Sequence, residues 1–167
     1  VREQLLAAGL ANQRRGDLAQ AEHCYRLVLT RHPRDTDALY RMGVLALQCA
    51  NAKGALHYLE QVRSVRALDA DGWNNLGMAH ALDYELDAAK EAFERARSLD
   101  PAHPSAAVSL GNVHKLMGRA KEAGEAYLAA VSSPRIDAVL FSQLLVGLHT
   151  NPTIDASTLF ELHREWA

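Results

Sequence analysis

The groups able to do chemistry in this chain of 167 residues are eight histidines, two cysteines and 20 carboxylates. The histidines come nearest to a pattern, because His23 and His57, and again His80 and His114, stand 34 residues apart. Equal positions on neighbouring helix pairs lie about 8–10 Å apart, however. That is too far for one shared ion without a third ligand between them. His80 and His114 are therefore expected to be packing residues, and no metal site is expected. Cys24 and Cys49 lack metal-ligand spacing and are too few to staple a small secreted domain. Carboxylates such as Asp87, Glu91 and Glu94 spread around helix faces. No GxSxG, HExxH, phosphate-loop or dinucleotide pattern occurs. No catalytic residue and no cofactor is expected, so the chain is not read as an enzyme.

Asparagine offers a different chemistry. Its amide donates and accepts at once, which matches a peptide backbone whatever side chains that backbone carries. Asn74, Asn75 and Asn112 are the candidates, and each needs an element to present it.

The stretch WNNLGMAHAL at 73–82 puts Gly77 inside a helical pattern, where glycine costs about 1 kcal/mol relative to alanine. Stepping 34 residues explains it: the glycines are Gly9, Gly43, Gly77 and Gly111. A second column holds Ala21, Ala55, Ala89 and Ala123, and a third holds Tyr25, Leu59, Phe93 and Tyr127. Breaks fall at Gly16, Ala50, Tyr84 and Gly118. Each period thus reads as two helices of about 14 residues joined by a tight turn. Small residues in register let two antiparallel helices approach closely, with the large side chain filling the groove beside them.

These residues resemble the tetratricopeptide repeat. The fullest match is Trp73, Leu76, Gly77, Ala89, Phe93, Ala96 and Pro101, with His80 in the family's tyrosine column. The resemblance implies an all-α fold, a right-handed superhelical solenoid of antiparallel helix pairs. Its four units span 2–35, 36–69, 70–103 and 104–137, followed by C-terminal helices over 138–167. It also implies a concave face lined by the first helix of each pair. The positions projected onto that face are Leu6, Leu10 and Arg14, then Tyr40, Arg41, Val44 and Gln48, then Asn74, Asn75 and Met78, then Val108, Ser109, Asn112 and Lys115. Acids Glu3, Asp37 and Asp71 lie near one rim. The expected partner is a protein or an extended peptide. The lysine, asparagine and arginine clamp by which co-chaperone repeats grip a terminal carboxylate is mostly absent, since Leu6, Leu10, Asp71 and Asn75 occupy its places.

Net charge is −2 with both signs interspersed, which gives no footprint for nucleic acid or an anionic membrane. The longest uncharged run, Ala138 to Ile154, is broken by polar residues and Pro152, so neither a membrane span nor a signal peptide is read. A reducing cytoplasmic setting is the expectation. A chain that begins at Val1 and stops at Ala167 in mid-pattern reads as a fragment of something longer.

The tail departs from the repeat. Ile136 to His149 carries Val139, Leu140, Phe141, Leu144, Leu145, Val146 and Leu148, apolar nearly all round, and is expected to be covered on more than one side. Leu159, Phe160, Leu162 and Trp166 are expected to supply part of that cover, with Asp155 or Ser157 capping the last helix. FSQLLVGLHTNP at 141–152 and LFELHREWA at 159–167 resemble the junction between repeats and catalytic domain in the O-linked N-acetylglucosamine transferase family. That implies a sugar-transferring domain beyond Ala167, with this chain as its substrate-recruiting arm and His163 and Arg164 in structural roles. The alternative is a free-standing adaptor or assembly scaffold with no enzyme attached. The apolar tail then packs within the chain or in a homo-oligomer.

Overall fold

The computed structural model describes the backbone of residues 1–166 and the side chains of residues 1–164, and the regular structure among them is helical throughout. In chain order the helices are α1 (Arg2–Arg14), α2 (Leu18–Arg31), α3 (Thr36–Gln48), α4 (Ala52–Val65), α5 (Ala70–Leu82), α6 (Leu86–Leu99), α7 (Pro104–Leu116), α8 (Ala120–Val131), α9 (Ala138–His149) and α10 (Ala156–Trp166). The odd-numbered helices start at residues 2, 36, 70, 104 and 138, a step of 34 throughout. The chain divides into two compact units, Val1–Glu85 and a second from Leu86 onward.

Helix starts repeat with the same period. Asp35, Asp69 and Asp137 each accept a hydrogen bond from the backbone N–H three residues on, at 2.9, 2.8 and 2.8 Å, which satisfies one of the orphan donors of a helix N-terminus. His103 fills the same column before α7. Its Nδ1 accepts from the Ala106 N–H at 3.2 Å, and Pro104 follows in the first turn, where proline is tolerated. Asp155, not Ser157, caps α10 by accepting from the Thr158 N–H at 2.7 Å. The turns between paired helices need a left-handed residue. Gly16 and Gly118 supply it at φ 81° and 73°, while Ala50 and Tyr84 adopt it at φ 53° and 60° despite their side chains.

In the first unit, α1 packs on α2 and α3 on α4, and α5 packs against α3 and α4. One apolar cluster joins Leu6, Tyr25, Val28, Met42 and Leu45, and a second joins Leu39, Leu59, Val62, Leu76 and Ala79. The glycines set the spacing. A methyl group on Gly9 would stand 2.4 Å from Tyr25 Cε1, and one on Gly43 would stand 2.8 Å from Leu59 Cγ. Tyr25 and Leu59 are fully buried. Gly9 and Gly43 therefore face the large residue of the third column, the side chain expected to fill the groove beside them. Ala21 and Ala55 are also fully buried.

In the second unit, α6 and α8 pack on α7, and α9 packs on α7 and α8 around Tyr127, Phe141, Leu144, Leu148 and Leu162. Tyr127 lies between two glycines: methyl groups on Gly111 and Gly147 would reach its ring at 2.4 and 2.7 Å. Asn151 pins the loop after α9 by donating to the Ala120 carbonyl at 2.7 Å. The rings of His149 and His163 meet edge to face at 5.4 Å, joining α9 to α10. α9 is covered by more than one element, α7 and α8, but not all round. Phe141, Leu144 and Leu148 are buried, but Val139 and Val146 are 69% and 64% exposed. Leu162 and Leu159 do pack against this core. Phe160 is 65% exposed and covers nothing, and the Trp166 side chain lies outside the described residues. No described helix is long and apolar enough to cross a membrane.

Three measurements test this account. Gly43→Ala gains helix propensity of about 1 kcal/mol but overpacks Leu59 at a cost of about 1–3 kcal/mol. Chemical denaturation should therefore show a net loss, and a gain contradicts the seat. Ala50→Gly relieves a left-handed alanine and should stabilise by roughly 0.5–1 kcal/mol. A loss of stability would mean the turn is not strained. The third concerns His114, which is buried on α7. Burial pushes its imidazole below the usual 6.5; Arg119 and Lys90 push the same way, while Glu122 and Glu94 oppose. A folded value below the unfolded one gives stability that is full above pH 6.5 and falls as pH drops through the folded value, because the unfolded chain protonates first. His114→Phe should flatten the decline in melting temperature on acidification from neutral pH, and an unchanged decline contradicts it.

Candidate functional site: a groove in the first unit

Once α1, α3 and α5 have turned their apolar stripes toward the second helices, their remaining faces line a cavity of about 320 Å³. Leu10, Gln13 and Arg14 come from α1, Tyr40, Arg41, Val44 and Gln48 from α3, and Asn75 from α5. The helical spacing explains the set: positions 40, 41, 44 and 48 fall on one face of α3, and 10, 13 and 14 on one face of α1.

Side chains in this groove hold one another in place. The Tyr25 hydroxyl, rising from α2, donates to Gln13 Oε1 at 2.9 Å, and Gln13 Nε2 donates to Gln48 Oε1 at 2.8 Å. Across the groove Asn75 Nδ2 donates to the Tyr40 hydroxyl at 2.7 Å. Burial raises the Tyr25 phenol above its ordinary value, and the Arg41 guanidinium beside it pulls the other way. Burial also raises Tyr40, with the charges of Asp71 and Asp69 adding to the effect. Asp37, at the rim, is paired with Arg2 at 2.7 Å.

Of the sequence-predicted residues, Arg14, Tyr40, Arg41, Gln48 and Asn75 come together around this cavity. Leu10 and Val44, also projected onto the face, join them. Asn74 does not: it is only 6% exposed, its Nδ2 lies 3.7 Å from Met78 Sδ, and its Oδ1 has no hydrogen-bond partner. Met78 is 39% exposed on α5. Leu6 and Val108, projected as groove residues, are buried in the cores of their own units. In the second unit Asn112 Oδ1 accepts from the Tyr127 hydroxyl at 2.7 Å, and Lys115 Nζ donates to Thr150 Oγ1 at 2.8 Å. Among the described residues, the hydrogen bonds of the two asparagine amides use Asn112 Oδ1 and Asn75 Nδ2. Gln13 was missed by the sequence reading. Its signal is the 35-residue separation from Gln48, one more than the repeat, which brings the two to adjoining edges of α1 and α3.

No group of three or more histidine, cysteine or acidic side chains placed to hold a metal occurs among the described residues. His23 and His57 lie exposed on second helices. His80 Nδ1 meets Glu85 Oε2 at 2.6 Å. The arrangement offers hydrogen-bond donors and acceptors, two cations and an apolar floor, which is binding chemistry.

Comparison with known proteins agrees with this geometry. Family models described as tetratricopeptide repeat match residues 6–48 and 70–103. A curated relative, cellulose synthase 2 operon protein C of Komagataeibacter xylinus, is 28% identical over 160 residues, which cover 93% of this chain and 12% of that protein. The chain therefore spans about an eighth of that relative's length. Among solved structures, residues 41 to the end of MamA from Desulfovibrio magneticus RS-1 superimpose with a TM-score of 0.75 at 30% identity, covering 81% of this chain and 76% of that one. An O-GlcNAc transferase mutant from Thermobaculum terrenum gives a TM-score of 0.73 at 21% identity over 78% of this chain and 25% of that one, a likeness of fold alone. With the 34-residue helix starts, the glycine column and these matches in hand, the chain belongs to the tetratricopeptide-repeat family.

Proposed function

We propose that the groove lined by α1, α3 and α5 holds an extended segment of a partner protein, and that presenting this groove is what the chain is for. The observation that carries the reading is the fixed side-chain network, Tyr25–Gln13–Gln48 on one side and Tyr40–Asn75 on the other. Polar groups already held in place lose little freedom when a ligand arrives. Amide groups of Asn75, Gln13 and Gln48 with unused donors and acceptors suit a main chain, while Leu10 and Val44 give an apolar side chain a place to sit.

A second reading concerns the whole protein. The LFELHREW stretch resembles the junction of the O-linked N-acetylglucosamine transferase family, and Val139, Val146 and Phe160 stand exposed on α9 and α10. Both features suit a recruiting arm whose apolar end is covered by a following sugar-transferring domain. A coding sequence that continues past Ala167 into a nucleotide-sugar-binding domain supports that reading. One that continues without it leaves the free-standing adaptor, which needs only the groove.

The groove itself is tested by selecting a random peptide library, fused at its C-terminus, against the chain. Binding of selected peptides should weaken about tenfold, roughly 1.4 kcal/mol, in Asn75→Ala and in Gln48→Ala, and stay unchanged in Gln61→Ala on the outer face of α4. Peptides that lose affinity only on the outer face, or no selectable binding at all, contradict the reading.

A further inference from the structure

The two arginines of the groove have a use that backbone capture does not require. Arg14 follows Gln13 in the chain. Arg41 lies beside the Tyr25 hydroxyl, which is itself bonded to Gln13. Both arginines line the same cavity of about 320 Å³, and no acidic residue lines it with them. Ion pairs are formed by Arg2, Arg26, Arg63, Arg135 and Arg164, and among the described residues Arg14 and Arg41, like several other arginines, are in none.

We infer that the groove selects a segment bearing an acidic side chain, whose carboxylate sits between Arg14 and Arg41 while a neighbouring apolar side chain rests on Leu10 and Val44. The inference rests on the groove reading given above and names the chemistry of its ligand. A guanidinium presents a planar fork that matches a carboxylate through two parallel hydrogen bonds. Arg41 stands against fully buried Tyr25, so part of the fork's freedom is already lost before binding. Hydrogen-bonding side chains besides the arginines line the same cavity, Gln48 on α3 and Asn75 on α5. A segment therefore has main-chain partners here besides the arginines, and the carboxylate is assigned to a side chain within it.

The same library selection distinguishes the outcomes, because its peptides carry no free terminal carboxylate. Against the natural chain, aspartate and glutamate should rise about threefold over the unselected library, and the enrichment should vanish against the Arg14→Gln, Arg41→Gln double variant. Individual selected peptides in which the enriched glutamate is replaced by glutamine should bind about tenfold more weakly to the natural chain and equally to the double variant. Circular dichroism of the double variant at native helicity keeps the comparison one of binding. Peptides that show no acidic enrichment yet still depend on Asn75 overturn this inference and leave the groove standing. An acidic enrichment that persists in the double variant also overturns it. A selection that yields no peptide overturns both.

Discussion

A large side chain seated on bare backbone is the contact from which the rest of this molecule follows. Tyr25, Leu59 and Tyr127 are fully buried, and each presses on the helix opposite at a place where a β-carbon would collide with it at 2.4–2.8 Å. Dispersion falls steeply with small gaps, so the contact is worth most when the two backbones are as near as glycine allows. The cost is helix propensity, about 1 kcal/mol for each glycine. Closer packing over the whole helix pair offsets it. Tyr127 takes the arrangement furthest, held between Gly111 on α7 and Gly147 on α9.

The groove is a by-product of that seat. When α1 and α3 commit one face to Tyr25 and Leu59, the opposite face has no partner within the unit and carries polar and mixed residues. The seat also reaches the groove directly, since the Tyr25 ring rests on Gly9 while its hydroxyl emerges to hold Gln13 and flank Arg41. One residue thus packs through its ring and fixes a groove side chain through its oxygen, as tyrosine's apolar body and polar tip permit. Position along the repeat decides which function a side chain takes.

The fold was legible because its signal is repeated. Glycine, alanine and large-residue columns recur four times, and the break column at Gly16, Ala50, Tyr84 and Gly118 became the left-handed turn in every case. A further periodic signal was present and unread: Asp35, Asp69, His103 and Asp137 form the cap column, with histidine doing through Nδ1 what aspartate does through its carboxylate. The groove was legible only in part. Helical projection and the structure both put Arg14, Tyr40, Arg41, Gln48 and Asn75 around one cavity. Leu6, Asn74 and Val108 share the repeat position of Tyr40 yet are buried, so the same column faces the cavity in one repeat and the core in the others. The apolar count of α9 said that the helix carries more than one apolar face, but no sequence count says which of those faces the chain itself covers.

The most direct test of the seat is a double-mutant cycle between Gly111 and Tyr127, read by chemical denaturation of the single and paired variants. Tyr127→Leu removes the ring that a methyl at position 111 would strike, so Gly111→Ala should cost at least about 1 kcal/mol less in that background than in the natural chain. If the two changes add to within about 0.5 kcal/mol, the contact does not set the spacing of the helices, and the account built on it fails.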